Sequence, residues 1–209
     1  NSIIAAHGKI VSGLSDWHST KSGENESIAR SFHFVAEAFH LTLRSQRQVF
    51  EIADAACSGI DRRNPVHLLY LFGLAALWHL DRDALMNLRV KSKQEEATRR
   101  LDSLTDSAIT HSYVFTVPSE SIFRTERKKS QKSFSDLFKA YLQLANNDLK
   151  DIRDAYHRST SIHEYPKDLE QPLVDEMPSA FSPQQAYPPS IRSYIDLVRT
   201  AGQMADTEL

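Results

Sequence analysis

Val66-His67-Leu68-Leu69-Tyr70-Leu71-Phe72-Gly73-Leu74-Ala75-Ala76-Leu77-Trp78-His79-Leu80 is apolar on nearly every side of a helical wheel. A helix greasy all round is stable in water only when neighbours cover it, so this stretch predicts the central helix of a bundle. Asn64-Pro65 just ahead is a start signal, an N-cap residue followed by proline at the first helical position. The apolar run Leu68–Leu80 has 13 residues and includes Gly73 and His79. Crossing a bilayer takes about 20, so a buried core helix is expected. Beyond it, Asp81, Arg82 and Asp83 return the pattern to amphipathic, with Leu85, Leu88 and Val90 on the apolar side.

Upstream, Ile28, Phe32, Val35, Phe39, Leu43, Phe50 and Ala53 recur on the helical period. They predict one long helix from about Ser27 to Ser58, closed by Gly59. At 1.5 Å per residue it would span roughly 45–50 Å. The polar stretch His18–Glu26, which holds Gly23, reads as a loop. Ahead of it, Ile3, Ile4, Ile10, Val11, Leu14 and Trp17 predict an opening helix over residues 2–17 with Ser2 as its N-cap.

Downstream, Ala97, Leu101, Leu104 and Ala108 form a narrow seam of the coiled-coil kind, under two heptads long. Thr116-Val117-Pro118 ends that region. A further helix is predicted from the regular recurrence of Phe134, Leu137, Phe138, Tyr141, Leu144, Ala145, Leu149, Ile152 and Tyr156. From Ser159 to Pro189 the periodicity collapses, and 6 of the 8 prolines (Pro166, Pro172, Pro178, Pro183, Pro188, Pro189) fall there, which forbids a long helix. Tyr165, Leu173, Val174, Met177, Phe181 and Tyr187 make the stretch too apolar for an ordinary linker, so it is expected to run extended across the bundle or a neighbouring subunit. Ile191, Tyr194, Ile195 and Val198 predict a last amphipathic helix from Ser190 to about Met204.

Formal net charge is -2 and the isoelectric point about 6.5, so contact with nucleic acid would need a local basic patch. Cys57 is the only cysteine, which excludes an intrachain disulfide and a cysteine-rich zinc site. It is compatible with the cytoplasm or another reducing compartment. Cys57 sits among Ala55, Ala56 and Gly59, the setting of a small buried residue. There is no glycine-rich phosphate loop, nucleophile elbow or HisGluXXHis pair.

Three groups of residues carry candidate chemistry. His33, Glu37 and His40 fall at i, i+4 and i+7 of the predicted long helix and so share a face. Imidazole and carboxylate are donors for zinc or iron. A bundle would complete such a site from a facing helix, where His79, Asp81 and Asp83 are the available set. The competing explanation is a row of boundary residues bonded to neighbours.

The stretch Arg124-Thr125-Glu126-Arg127-Lys128-Lys129-Ser130-Gln131-Lys132 holds five bases and one acid. As a helix or helix-entry loop it would present Arg124, Arg127, Lys128, Lys129 and Lys132 to phosphates, enlarged by Lys91, Lys93, Arg99 and Arg100 if the segments pack together. No aromatic residue interrupts it, so base stacking is not indicated. A solvated helix face is the alternative.

Two Arg-x4-His pairs, Arg62 to His67 (ArgArgAsnProValHis) and Arg158 to His163 (ArgSerThrSerIleHis), complete the set. Their spacing resembles the short motif of the HEPN superfamily of helical bundles, many of them metal-independent ribonucleases. The resemblance implies that two motifs meet across a dimer, with arginine holding phosphate and histidine acting on the RNA 2′-hydroxyl. Arg63 and Ser159 stand where that family has a polar residue; Pro65 departs from its mid-helix setting. Separately, AlaThrArgArgLeuAspSerLeuThr (97–105) is similar to a stretch in the coat proteins of rod-shaped plant viruses, which implies a helix near RNA in a helical array.

Together these readings predict an all-α protein. An antiparallel bundle of five to six long helices occupies residues 1–158, an extended proline-rich arm 159–189, and a short C-terminal helix 190–209 packs on the bundle or a partner. The expected role is non-catalytic binding or assembly, as a homo-oligomer or on a protein partner. Nucleic acid is a further candidate partner; neither a membrane nor a cofactor is expected. The alternative is a metal-independent ribonuclease using an Arg-x4-His pair.

Overall fold

A computed structural model describes residues 2–14, 24–118, 125–158, 167–178 and 185–207. The protein is mostly helical. Its centre is α3 (Leu68–Leu80), buried from Leu68 through Trp78 and leaving only His79 and Leu80 at the surface. Around it pack α1 (Glu24–Ala38), α2 (Leu43–Cys57), α4 (Arg82–Leu88), α6 (Phe134–Asn146) and α9 (Tyr194–Thr207). The all-round apolar pattern has the physical consequence expected of it: every face of α3 is covered by another helix. No helix among the described residues is long and apolar enough to cross a membrane.

Aromatic rings fill the joints. Phe32 of α1, Phe50 of α2 and Phe72 of α3 meet with centroids 5.1–5.9 Å apart. Across α3, Gly73 makes room for α6, since a Cβ there would stand 2.6 Å from Phe134 and 2.9 Å from Phe138.

The long helix expected over 27–58 is two helices, α1 and α2. His40 takes a left-handed conformation (φ 50°), and the N–H groups of His40 and Leu41 donate to the Glu37 and Ala36 carbonyls, which closes α1. Thr42 then caps α2 by accepting the Ser45 N–H at 3.3 Å. The break lets both apolar stripes wrap α3. Similarly, the helix read over 134–156 divides into α6 and α7 (Leu149–Arg158) at Asn147-Asp148. Arg192 donates to the carbonyls of Ala145 and Asn147 at 2.8 Å, and the Leu149 N–H goes to Tyr187, so partners far along the chain satisfy the broken ends.

The opening segment is not a helix over 2–17. Asp54 of α2 accepts the Ser2 hydroxyl and the Ile4 N–H, holding a short 3-10 turn at Ile4–Ala6. β1 (Ile10–Val11) then pairs in parallel with β2 (Val66–His67). That pairing corrects the Asn64-Pro65 start signal: Val66 donates to Lys9 in an extended ladder, and α3 begins only at Leu68. Gly13 (φ +74°) turns against α3, where a Cβ would lie 2.8 Å from Leu69.

α5 (Gln94–Leu104) buries Ala97 and Leu101, but the seam stops short of Ala108, which is exposed beyond the helix end. A hairpin follows where none was expected: β3 (Thr110–Pro118) runs antiparallel to β4 (Thr125–Ser133). Thr110, Tyr113, Val114, Phe115, Thr116 and Val117 are β-branched or aromatic, and β4 has no apolar stripe to seat as a helix. Ser133 and Asp136 form a reciprocal capping box that switches the chain into α6.

The proline-rich region includes a helix, α8 (Lys167–Val174), with Pro172 inside it and Leu169 and Leu173 buried. α9 lies on α2 and α3 and buries Tyr194, Ile195, Val198 and Ala201. Leu169, Leu173 and the apolar side of α9 are thus covered by their own chain.

Candidate functional site

The two members of the first Arg-x4-His pair occupy opposite environments. Arg62 is exposed on the turn before β2, whereas His67 is completely enclosed. The His67 N–H donates to the Tyr194 hydroxyl at 3.2 Å, which in turn donates to the Pro65 carbonyl at 3.1 Å. The imidazole meets Tyr141 edge-on at 5.5 Å, and neither ring nitrogen has a hydrogen-bond partner among the described residues. Burial pushes its pKa down to about 3. A neutral ring sealed in the core has no route to an RNA hydroxyl. Arg158 is exposed at the end of α7 and donates to the Asp154 carbonyl, while His163 lies outside the described residues.

The His33, Glu37 and His40 set does not remain on one helical face. His33 pairs with Glu37 at 3.2 Å, but His40 has left α1 at the left-handed turn and faces Asp106 at 3.7 Å. At the N-cap of α4, Asp81 is committed to the Ala84 N–H and to Arg100 at 2.7 Å, which also withdraws Arg100 from the basic patch. Among the described residues no cluster of three His, Cys, Asp or Glu side chains is placed to hold a metal ion.

Cys57 is buried, and desolvation, followed by the nearby Asp54 charge, pushes its thiol up to about 12. It is a packing residue, since a thiolate would be needed for reaction.

A cleft of about 580 Å³ opens between α2, the end of α3 and α9. Trp78 lines it, with the Arg82 guanidinium 4.8 Å from the ring centre and paired to Asp206 at 2.7 Å. On the α2 side, Arg47 pairs with Glu51 at 2.8 Å. Both cations already have their carboxylates, so the rim selects neither an anion nor a cation. His79, lowered by burial and by Arg82, adds no nucleophile or paired base.

The basic stretch is the group whose setting changes most. Arg124 lies outside the described residues, and Arg127, Lys128, Lys129 and Lys132 stand on β4 instead of on a helix. This strand holds four bases against Glu126 alone, while β3 beside it carries no Asp, Glu, Lys or Arg. Lys129 is exposed and Lys132 half-buried. The register sets Val114 opposite Lys129, Phe115 opposite Lys128, Tyr113 opposite Ser130 and His111 opposite Lys132. Aromatic residues absent from the basic stretch are therefore brought to it by the neighbouring strand. The signal that could have found them is the β-branched and aromatic composition of residues 110–117.

The fold and this ribbon define a mostly helical protein with a two-stranded hairpin rich in basic residues and no assembled catalytic group among the described residues. No protein-family model matches the chain, and neither a curated protein nor a solved structure matches it.

Proposed function

We propose that this chain is a non-catalytic binding and assembly protein that contacts nucleic acid through the β3–β4 ribbon. What carries the reading is the concentration of Arg127, Lys128, Lys129 and Lys132 on one strand of a chain whose net charge is -2. Phosphate backbones attract such a local patch even when the rest of the surface does not, and binding releases condensed counterions. Assembly is the second half of the proposal: the antiparallel helical bundle is the rigid body, and copies or a protein partner meet on its surface. Burial of Tyr194, Ile195, Val198 and Ala201 in the core weighs against the last helix as the docking element.

This reading stands ahead of a metal-independent ribonuclease built on the first Arg-x4-His pair, which would require the enclosed His67 imidazole to reach RNA. Fluorescence anisotropy with short oligonucleotides over a salt series tests the nucleic-acid half. Binding should weaken linearly in log salt, and replacing Lys128, Lys129 and Lys132 by Glu should abolish it near physiological salt. No binding at low salt, or binding indifferent to the three replacements, would sink it. Light scattering on the intact chain tests assembly; a strict monomer over the concentration range removes homo-oligomerisation.

A further inference from the structure

We infer that the cleft between α2, the end of α3 and α9 is a binding site for an uncharged aromatic small molecule, whose ring stacks on the Arg82 guanidinium. Its volume of about 580 Å³ falls within the roughly 300–1,000 Å³ usual for small-molecule pockets. The floor is apolar, made by Ile52 and Ala55 of α2 and by Ala201 and Ala205 of α9. Met204 lines the cleft with 64 % of its surface exposed, a flexible thioether able to fold over a bound ring.

The stacking surface is formed where α3 gives way to α4. Trp78 lines the cleft at only 5 % exposure, with the Arg82 guanidinium across its ring, 4.8 Å from the centre. Asp206 accepts from one guanidinium nitrogen, its two carboxylate oxygens lying at 2.9 and 2.7 Å. The indole thus takes one face of the guanidinium and the carboxylate one edge. Arg82 is still 55 % exposed, and the second face of a guanidinium fixed in this way receives a further π-system at little cost in ordering.

Charge sets the other requirement. Arg47 and Glu51 pair on the α2 wall at 2.8 Å, as Arg82 and Asp206 do opposite, so the four charges cancel. An ionic ligand would have to displace a partner from one of these pairs. Gln48 supplies polar contacts without charge, as does His79, whose imidazole burial and Arg82 keep neutral. The same charged walls interrupt any apolar stripe on which a partner helix would lie. None of the cleft residues belongs to β3 or β4, so this site and the nucleic-acid reading stand or fall separately.

The probe is naphthylmethanol, compared with its saturated counterpart decahydronaphthylmethanol and with the ions naphthoate and naphthylmethylammonium. Each is titrated into the intact isotope-labelled protein near neutral pH while amide and indole shifts are recorded. Naphthylmethanol should give saturable shifts centred on Ala55, Trp78, Ala201 and Ala205. The saturated alcohol should bind at least about fivefold more weakly, as loss of one cation–π contact predicts, and both ions should also bind more weakly. Arg82→Lys keeps a cation beside Asp206 but removes the flat face, and should weaken naphthylmethanol to the level of the saturated alcohol. Ala55→Trp fills the cleft from an exposed position and should abolish binding. The ligand series on the unaltered chain decides even where a variant fails to fold. No saturable shift with naphthylmethanol, shifts centred elsewhere, equal affinity for the saturated alcohol or tighter binding of either ion would overturn the assignment.

Discussion

The Tyr194 hydroxyl sits between two backbone groups of the same turn, accepting the His67 N–H at 3.2 Å and donating to the Pro65 carbonyl at 3.1 Å. α9 thereby closes the strand-to-helix junction that launches α3, across 127 positions of sequence. Both partners are out of water, so nothing else is available to pair with them. Tyr194→Phe keeps the ring packing and deletes only the bridge. It should destabilise the protein by about 2–4 kcal/mol, the cost of stranding a buried donor and acceptor. Urea denaturation measures this; a change under about 0.5 kcal/mol would contradict it.

The His67 ring makes stability depend on acid. Its pKa is about 3 when folded against 6.5 in the open chain, so between those values the unfolded state binds the extra proton. Stability therefore rises with pH across this window and falls as pH drops below 6.5, with a slope approaching ~1.4 kcal/mol per pH unit. His67→Leu should flatten the slope between pH 6.5 and 4.5. Asp61, held down to about 2 by Arg63, contributes its own acid loss only below its ordinary 3.8. Denaturant midpoints at several pH values in both proteins decide the matter.

Gly202 of α9 lies so close to the Trp78 indole that a Cβ would collide with it. Gly202→Ala should cost about 1–3 kcal/mol despite the better helix propensity of alanine, because overpacking outweighs it. Gly8→Ala, where nothing lies within 4 Å, is the matched control and should change stability by less than about 0.5 kcal/mol. Thermal melts followed by tryptophan fluorescence compare the two.

His40 is the one described residue other than glycine with positive φ. His40→Gly should relieve that conformation and stabilise the α1–α2 turn by up to about 1 kcal/mol, less the weak contribution of the exposed pair with Asp106. Loss of stability instead would mean that the imidazole is more than a tolerated occupant of the turn. Chemical denaturation of His40→Gly beside His40→Ala gives the answer.

Much of the helical content could be read from side-chain period alone, and Leu68–Trp78 had to be central because no exposed position suits it. The two helix breaks were harder to see. At His40 and Asn147 the apolar period continues almost undisturbed, so pattern suggests continuity while capping by Thr42 and by the distant Arg192 ends each helix. Strand residues were missed for a related reason: β4 is nearly all polar, and a polar run carries no period to interpret.

Composition and spacing alone determined a helical protein with one enclosed central helix and one dense basic stretch, since burial preference is a property each residue carries with it. Tertiary pairing alone decided where the chain turns, that His67 is sealed away, and that the basic stretch is a strand paired with residues 110–118. Those outcomes depend on partners from other segments of the chain, and the energy of a cap, a ladder or an enclosure exists only once both partners are in place.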